Sequence, residues 1–561
     1  MKLNNQSLES LLGSLGGRGK FQIMVHMLAA YTYIVLVFNH VIMAFHGTPI
    51  AHNCMYYQGT DATLDKIIPG TWPYKNSSQK VLVNATHAEC NATLFYSDGQ
   101  SETVQCTSRG QWRYKPVYDE KNIVSQFDLV CSDAYLANLA TTLYFAGVMV
   151  GGVVFGDLAD RFGRLPIMLF TLYSSTILGI IIAFSVNYVM FVVLRFINGI
   201  LMQGLQTSAY TLIMELYVAK HRPFAGAVTE CFFGSSIMLL AGLAFAVRDW
   251  QHLQILISLF GVLAVFYPWV VPESLRWLIM KGKTDRADLV IKNICKMNKV
   301  PYPAEQWEAL REDTDKQMKD GGSQSVYNFT DMFRTGHMRK RSVILFYIWL
   351  VISTCYYGLT FKMSGFKGNR YLNFFIGGAV ETLAYAVSLP IMRKFGRKKP
   401  LLACFLIAAA TCLAAGFIND YTAGLSHVTI TLAITGRCAM ACLFAIIFVY
   451  TSEIYPTVIR NIGMGACCFW ARVGGVLAPQ INQWTKTLWD VDAIIIFGVM
   501  SLLAGLVLFP LPETHNKRLP DSLREVEVSS ASSSENNLPD FKEKITADGV
   551  KREEIPMQGV A

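Results

Sequence analysis

The sequence predicts an all-α membrane protein: twelve transmembrane helices in two pseudo-symmetric six-helix bundles. Three observations carry that prediction. The 561 residues are 52% hydrophobic and only 16% charged, whereas a soluble protein of this size carries about a quarter charged residues. Apolar runs of roughly 20 residues, the length that crosses a hydrocarbon core, recur along the chain. The polar passages between them occur twice, in the same order. G-D-L-A-D-R-F-G-R near residue 156 is answered by R-K-F-G-R-K-K-P near 393, and M-E-L-Y-V-A-K-H-R by S-E-I-Y-P-T-V-I-R. Pro272-Glu273-Ser274 and Pro512-Glu513-Thr514 close each half. Two similar halves, each with its charged punctuation on one side, form the plan of an alternating-access carrier.

Taken in order, residues 1–21 form an N-terminal segment. The first span lies near 22–45; it is too long for a signal peptide and lacks a small-residue cleavage site. Residues 47–131 follow as a loop holding Cys54, Cys90, Cys106 and Cys131, an even set suited to two disulfides, with all three pairings open. The same loop carries glycosylation sequons at Asn76, Asn84 and Asn91. Spans near 134–156, 165–186, 189–213, 224–247 and 252–271 complete an N-terminal bundle over 22–271. A polar linker occupies 272–341. Spans near 342–361, 371–392, 400–418, 428–451, 462–482 and 491–511 make the C-terminal bundle over 342–511. The tail, 512–561, is polar and rich in Ser, Glu and Lys, a composition that does not fold alone.

Orientation follows from basic residues in short loops. Arg161, Arg164, Lys220, Arg222, Arg393, Lys394, Arg397, Lys398, Lys399 and Arg460 share one side if spans alternate, and the linker lies there too. Both termini are therefore expected in the cytoplasm and the cysteine loop outside. The formal charge of +9 follows from this asymmetry, so no nucleic-acid partner is expected; the partners are the lipid bilayer and a small solute.

Charges repeated in register at one membrane face suggest a gate. Asp160, Arg161 and Arg164 in the first half have a counterpart in Arg397, and Glu215 with Arg222 is matched by Glu453 with Arg460. Carboxylates and guanidiniums at helix ends pair with neighbouring helices and helix dipoles. Such a network is expected to hold the halves together when the cavity opens outward and to break when it opens inward.

These residues together resemble a known family. G-x-x-x-D-R-x-G-R after the second span is similar to the signature of the major facilitator superfamily. The Cys-rich first loop, F-D-L-V-C (Phe127 to Cys131), P-E-S-L-R-W-L and E-I-Y-P-T-V-I-R-N-I-G resemble the organic ion transporters of solute carrier family 22. The family usually has Trp at Phe127 and Pro at Leu275. The resemblance covers about residues 15 to 520. It implies two six-helix bundles around a central cavity and plasma-membrane transport of organic cations, zwitterions or anions.

Substrate charge is read from ionisable residues inside the spans, which are costly unless used or paired. Glu381 lies in the eighth span and Arg472 in the eleventh. They are expected to face the cavity, one for an ammonium and one for a carboxylate; the alternative is a mutual salt bridge. By resemblance, cation-selective members carry Asp at the position of Arg472, and anion carriers have Lys at that of Tyr385. Glu381, Tyr385 and Arg472 together are similar to the carnitine and zwitterion branch. Gln206, where cation-selective members often have Trp, points the same way. Asn39 in the first span is a further polar candidate. Among the aromatics, Trp349, Tyr356, Phe233 and Phe444 are candidates for the ring faces that attract a quaternary ammonium. Tyr356, Phe233 and Phe444 match family positions lining the cavity.

No phosphate loop, metal cluster or nucleophile elbow supports an enzyme, and no ring of like charge supports a channel. A carrier of small organic cations or zwitterions is expected. The runners-up are an organic anion carrier and a non-transporting receptor on the same fold. No cofactor is expected, and coupling to Na+ or H+ is left open.

Overall fold

The computed structural model describes residues 5–54, 82–96, 100–106, 112–116, 120–319, 329–363, 368–421, 426–456, 459–485 and 491–515. Asn76 and most of the tail lie outside these residues.

Twelve apolar helices account for the twelve predicted spans. In chain order they are α1 Lys20–Val41, α2 Tyr135–Phe162, α3 Arg164–Ala183, α4 Tyr188–Leu216, α5 Arg222–Ala246, α6 Trp250–Val262, α7 Gly336–Lys362, α8 Arg370–Phe395, α9 Lys398–Tyr421, α10 Ser426–Ile454, α11 Arg460–Trp484 and α12 Ala493–Val507. Eleven are long and apolar enough to cross a bilayer, and α12 is the shorter apolar helix that ends the set. Several starts are capped by the side chain that precedes them. Asn187 accepts from the Met190 N–H, Asn369 from Tyr371 and Leu372, and Asp492 from Ile494. Each cap satisfies backbone donors that a helix start leaves unpaired.

The halves meet chiefly where α5 crosses α8 and α2 crosses α11. At the first crossing Gly234 lets the backbones approach, since a Cβ there would lie 3.0 Å from the Thr382 nitrogen. Small residues at such crossings replace the hydrophobic drive that helices lose in lipid.

The cysteine loop departs from the all-α expectation. Strands β1 Ala51–Cys54 and β5 Trp112–Lys115 pair antiparallel, and β2 Leu82–His87, β3 Asn91–Tyr96 and β4 Ser101–Gln105 form a second sheet. Of the three open pairings the structure takes Cys54–Cys106 and Cys90–Cys131. Asn84 lies on β2 and Asn91 opens β3. The N-terminal segment is also more ordered than its polarity suggests. Asn5–Ser14 is a helix whose Leu8, Leu11 and Leu12, with Leu15 beyond it, are buried. It packs on the linker helices, and Glu9 reaches Arg222 at 3.0 Å and Arg276 at 2.5 Å.

Candidate functional site

Glu381 and Arg472 are not partners, which corrects the expected alternative of a mutual salt bridge. The Glu381 carboxylate is fully buried and is held by the Arg437 guanidinium of α10 at 2.7 Å. Tyr356 and Tyr385 both donate to its other oxygen, at 2.6 and 2.9 Å. Arg437 also stands over the Tyr356 ring at 5.7 Å. A carboxylate with a buried guanidinium and two phenols is satisfied within its own half. That arrangement removes Glu381 from the groups free to hold a solute in this conformer, because both its oxygens are engaged and enclosed by protein; what it does instead is tie α7, α8 and α10 together.

Arg472 sits elsewhere, at the meeting of the halves. Its Nη2 donates to Gln206 of α4 at 2.6 Å, its Nε has no partner among the described residues, and the Tyr357 hydroxyl stands beside it. Arg472, Gln206, Tyr210, Phe444 and Phe448 are each half-buried, whereas Glu381, Tyr356, Tyr385, Trp349 and Asn39 are buried. The first group is therefore less enclosed by protein than the second. Phe444 links the two sets, with its ring 5.4 Å from Tyr356 and 6.4 Å from Trp349. Phe233 of α5 meets Tyr356 of α7 at 6.4 Å. Phe233, Phe444 and Trp349 thus lie together with Tyr356.

Two predicted residues have structural partners. Asn39 accepts from Asn198 at 2.8 Å and donates to the Val35 carbonyl, while Trp349 donates to Thr451 at 3.0 Å. Three ionisable residues inside spans escaped the sequence reading: Arg195, Glu230 and Arg437. The criterion that found Glu381 applies equally to R in V-V-L-R-F, E in V-T-E-C-F and R in T-G-R-C-A. Arg195 is buried against the Tyr144 ring, 4.4 Å from its centroid.

The repeated charges form two matching clusters on the face opposite the disulfides. In the first half Arg164 pairs with Asp160 at 2.8 Å and Glu215 at 3.1 Å, and its backbone N–H donates to Glu273. In the second, Arg397 pairs with Glu453 at 2.8 Å and its N–H donates to Glu513. Gly163 and Gly396 carry the chain through the turn at positive φ, +118° and +83°, where a side chain would be strained. The two capping carboxylates differ. Burial raises the Glu273 carboxyl above its ordinary value. Burial pushes Glu513 the same way, but four backbone N–H donors prevail and hold it below. Arg161 pairs only with Asp157, both well exposed. Arg460 donates to the Tyr455 carbonyl, and it lies near enough to Arg222 of the other half to repel it. Among the described residues, the ion pairs on this face join helices within a half.

The disulfide-bearing face is where the halves are tied. Arg370 at the start of α8 pairs with Glu120 of the cysteine loop at 3.1 Å, both mostly buried, and the Tyr371 hydroxyl donates to the same carboxylate. Phe45 stacks on Tyr371 at 5.7 Å, and Asn138 of α2 donates to Gln483 of α11 at 2.8 Å. This mouth is closed. His52 lies by Cys90 and Cys131, but both sulfurs are in a disulfide and neither is a thiolate that could hold a metal.

Residues 82–523 match the family model described as sugar (and other) transporter. The chain is 31% identical to the organic cation transporter protein of Drosophila melanogaster, covering 92% of this chain and 94% of that protein. It is 31% identical to solute carrier family 22 member 6-A of Xenopus laevis, covering 98% and 99%. It is 34% identical to solute carrier family 22 member 13 of Homo sapiens, covering 81% and 80%. Among solved structures it is similar to the proton:xylose symporter XylE bound to 6-bromo-6-deoxy-D-glucose, with a TM-score of 0.60 at 18% identity, covering 91% of this chain and 99% of that one. Inward-open XylE from E. coli gives 0.61 at 16% identity, covering 91% and 99%.

Proposed function

The chain belongs to the sugar (and other) transporter family of the major facilitator superfamily, among the solute carrier family 22 proteins, and from that premise we propose that it carries small organic zwitterions or cations across the plasma membrane. It is a multi-pass membrane transporter, and its substrate class is read from the central cavity. The observation that carries the reading is Arg472: a half-buried guanidinium bonded to Gln206 of the other half, its Nε without a partner among the described residues, with Tyr357 beside it and the ring series continuing through Tyr356 at 5.2 Å to Phe444 at a further 5.4 Å. A guanidinium in a water-poor site recognises a carboxylate, and ring faces attract an ammonium. A solute bearing both uses both. Ties between the halves at the disulfide-bearing mouth support alternating access, which requires such contacts to break and re-form.

The unpartnered Arg472 nitrogen also favours a second reading, an organic anion carrier. Uptake in cells separates the two. Labelled carnitine, tetraethylammonium and glutarate would be compared, with and without a Na+ gradient and at two external pH values. Saturable uptake of carnitine or tetraethylammonium supports the first reading. Uptake of glutarate alone replaces it with the second, and saturable binding without uptake of any of the three points to a receptor.

A further inference from the structure

With Glu381 neutralised by Arg437, a cavity built for an ammonium needs its negative charge from elsewhere. Glu230 on α5 is the candidate. It lies within the fifth span, is half-buried, and makes no hydrogen bond or ion pair with any described residue. Its neighbours in sequence show where it faces. Thr229 is bound to His26 of α1, at 3.2 Å between its hydroxyl and the ring, and Cys231 donates to the Thr382 carbonyl of α8. A residue between one that faces α1 and one that faces α8 is directed towards the space these helices enclose with α4 and α7.

Electrostatics agree with that placement. Glu230 acts on Tyr33 of α1, Tyr210 of α4, Tyr357 of α7 and Tyr385 of α8, and it is repelled by Glu381. Arg472 acts on two of the same groups, Tyr33 and Tyr357. The two charges therefore flank shared neighbours, one from each half of the molecule. A carboxylate kept in a membrane span without a cation is costly. A cationic solute pairs the carboxylate and removes that cost, and so the unpartnered carboxyl marks a site for one.

Resting on the transport reading above, we infer that Glu230 is the ammonium subsite, and that a zwitterion bridges the halves by placing its ammonium on Glu230 and its carboxylate on Arg472. Such a ligand pulls α5 and α11 together and favours the occluded arrangement. Its affinity is differential between conformers, which is what a transported solute requires.

The test uses the purified full-length chain in detergent, with tetraethylammonium as probe, and the same variants in cells. Tetraethylammonium should raise the unfolding temperature of the wild type. Glu230→Gln should weaken that effect at least tenfold in concentration, and Glu230→Asp should keep part of it. Should Glu230→Gln fail to fold, carbodiimide labelling of the wild type, located by mass spectrometry, replaces it, and tetraethylammonium should protect Glu230. An unchanged response in Glu230→Gln, or labelling that the probe does not slow, overturns the inference. A wild type that does not bind the probe overturns the inference. Binding lost in Glu230→Gln, in a wild type that takes up neither the probe nor carnitine, sustains the subsite and defeats the transport reading alone.

Discussion

At the residue scale, the buried pair of Glu381 and Arg437 and the cross-half contact of Arg472 with Gln206 have opposite consequences when cut. The first is enclosed by protein, so Arg437→Met leaves an unpaired carboxylate in the core. We expect a loss of about 3–5 kcal/mol, read as reduced folded protein at the surface, and the Glu381→Gln, Arg437→Met double variant should recover most of it. Arg472 is only half-buried and forms no ion pair among the described residues, so Arg472→Ala should fold normally. It should abolish carnitine uptake, by well over tenfold in affinity, because a charge contact in a low-dielectric site far exceeds its value in water. Tetraethylammonium uptake should persist. The partner of Glu381 was not legible in the sequence because α8 and α10 are far apart along the chain, and either Arg472 or Arg437 could have reached it.

At the element scale, the turns after α2 and α8 repeat one device: a glycine at positive φ, an arginine bound to a glutamate on a neighbouring helix, and a second glutamate capping the next helix start. The repeated motifs were visible in the sequence, each being a short stretch, but their pairing was not, since Arg164 lies 51 residues from Glu215 and 109 from Glu273. Asp160→Asn and Arg397→Ala should reach the surface and lower maximal uptake more than apparent affinity, because these contacts do not touch solute. Glu513 adds a pH signature. Its carboxyl is held below the ordinary value, so its contribution is present above the unfolded-state value and is lost as pH falls through the lower folded one. The difference in thermal unfolding between wild type and Glu513→Gln should therefore be constant near neutrality and vanish below the usual carboxylate range. The cysteine module behaves differently, since small sheets bury little apolar area. Cys90→Ser with Cys131→Ser should cut surface delivery strongly, as loss of a native disulfide in such a module costs about 2–5 kcal/mol.

At the scale of the whole molecule, the ties across the disulfide-bearing mouth define the conformer. Glu120 and Arg370 belong to different halves and hold the disulfide-bearing mouth shut. Glu120→Cys with Arg370→Cys, treated with a short bifunctional thiol reagent, should lose uptake, while the wild type treated identically should not. Uptake that survives complete cross-linking would show that this mouth does not open during transport.

Class, span count and the repeat were determined by the sequence alone, because hydrocarbon imposes length and apolarity on every span and the repeated motifs act within short stretches of chain. The aromatic cluster around Tyr356 was legible for a related reason, through positions shared with a family. Only the tertiary structure decided which charges pair. A buried guanidinium takes whichever carboxylate the helix packing brings within reach, and that choice left Glu381 bound to Arg437, Arg472 bonded to Gln206 of the other half and Glu230 without a partner among the described residues. The disulfide pairing was decided the same way, by which strands the loop brings together, and no spacing of cysteines in a chain encodes that.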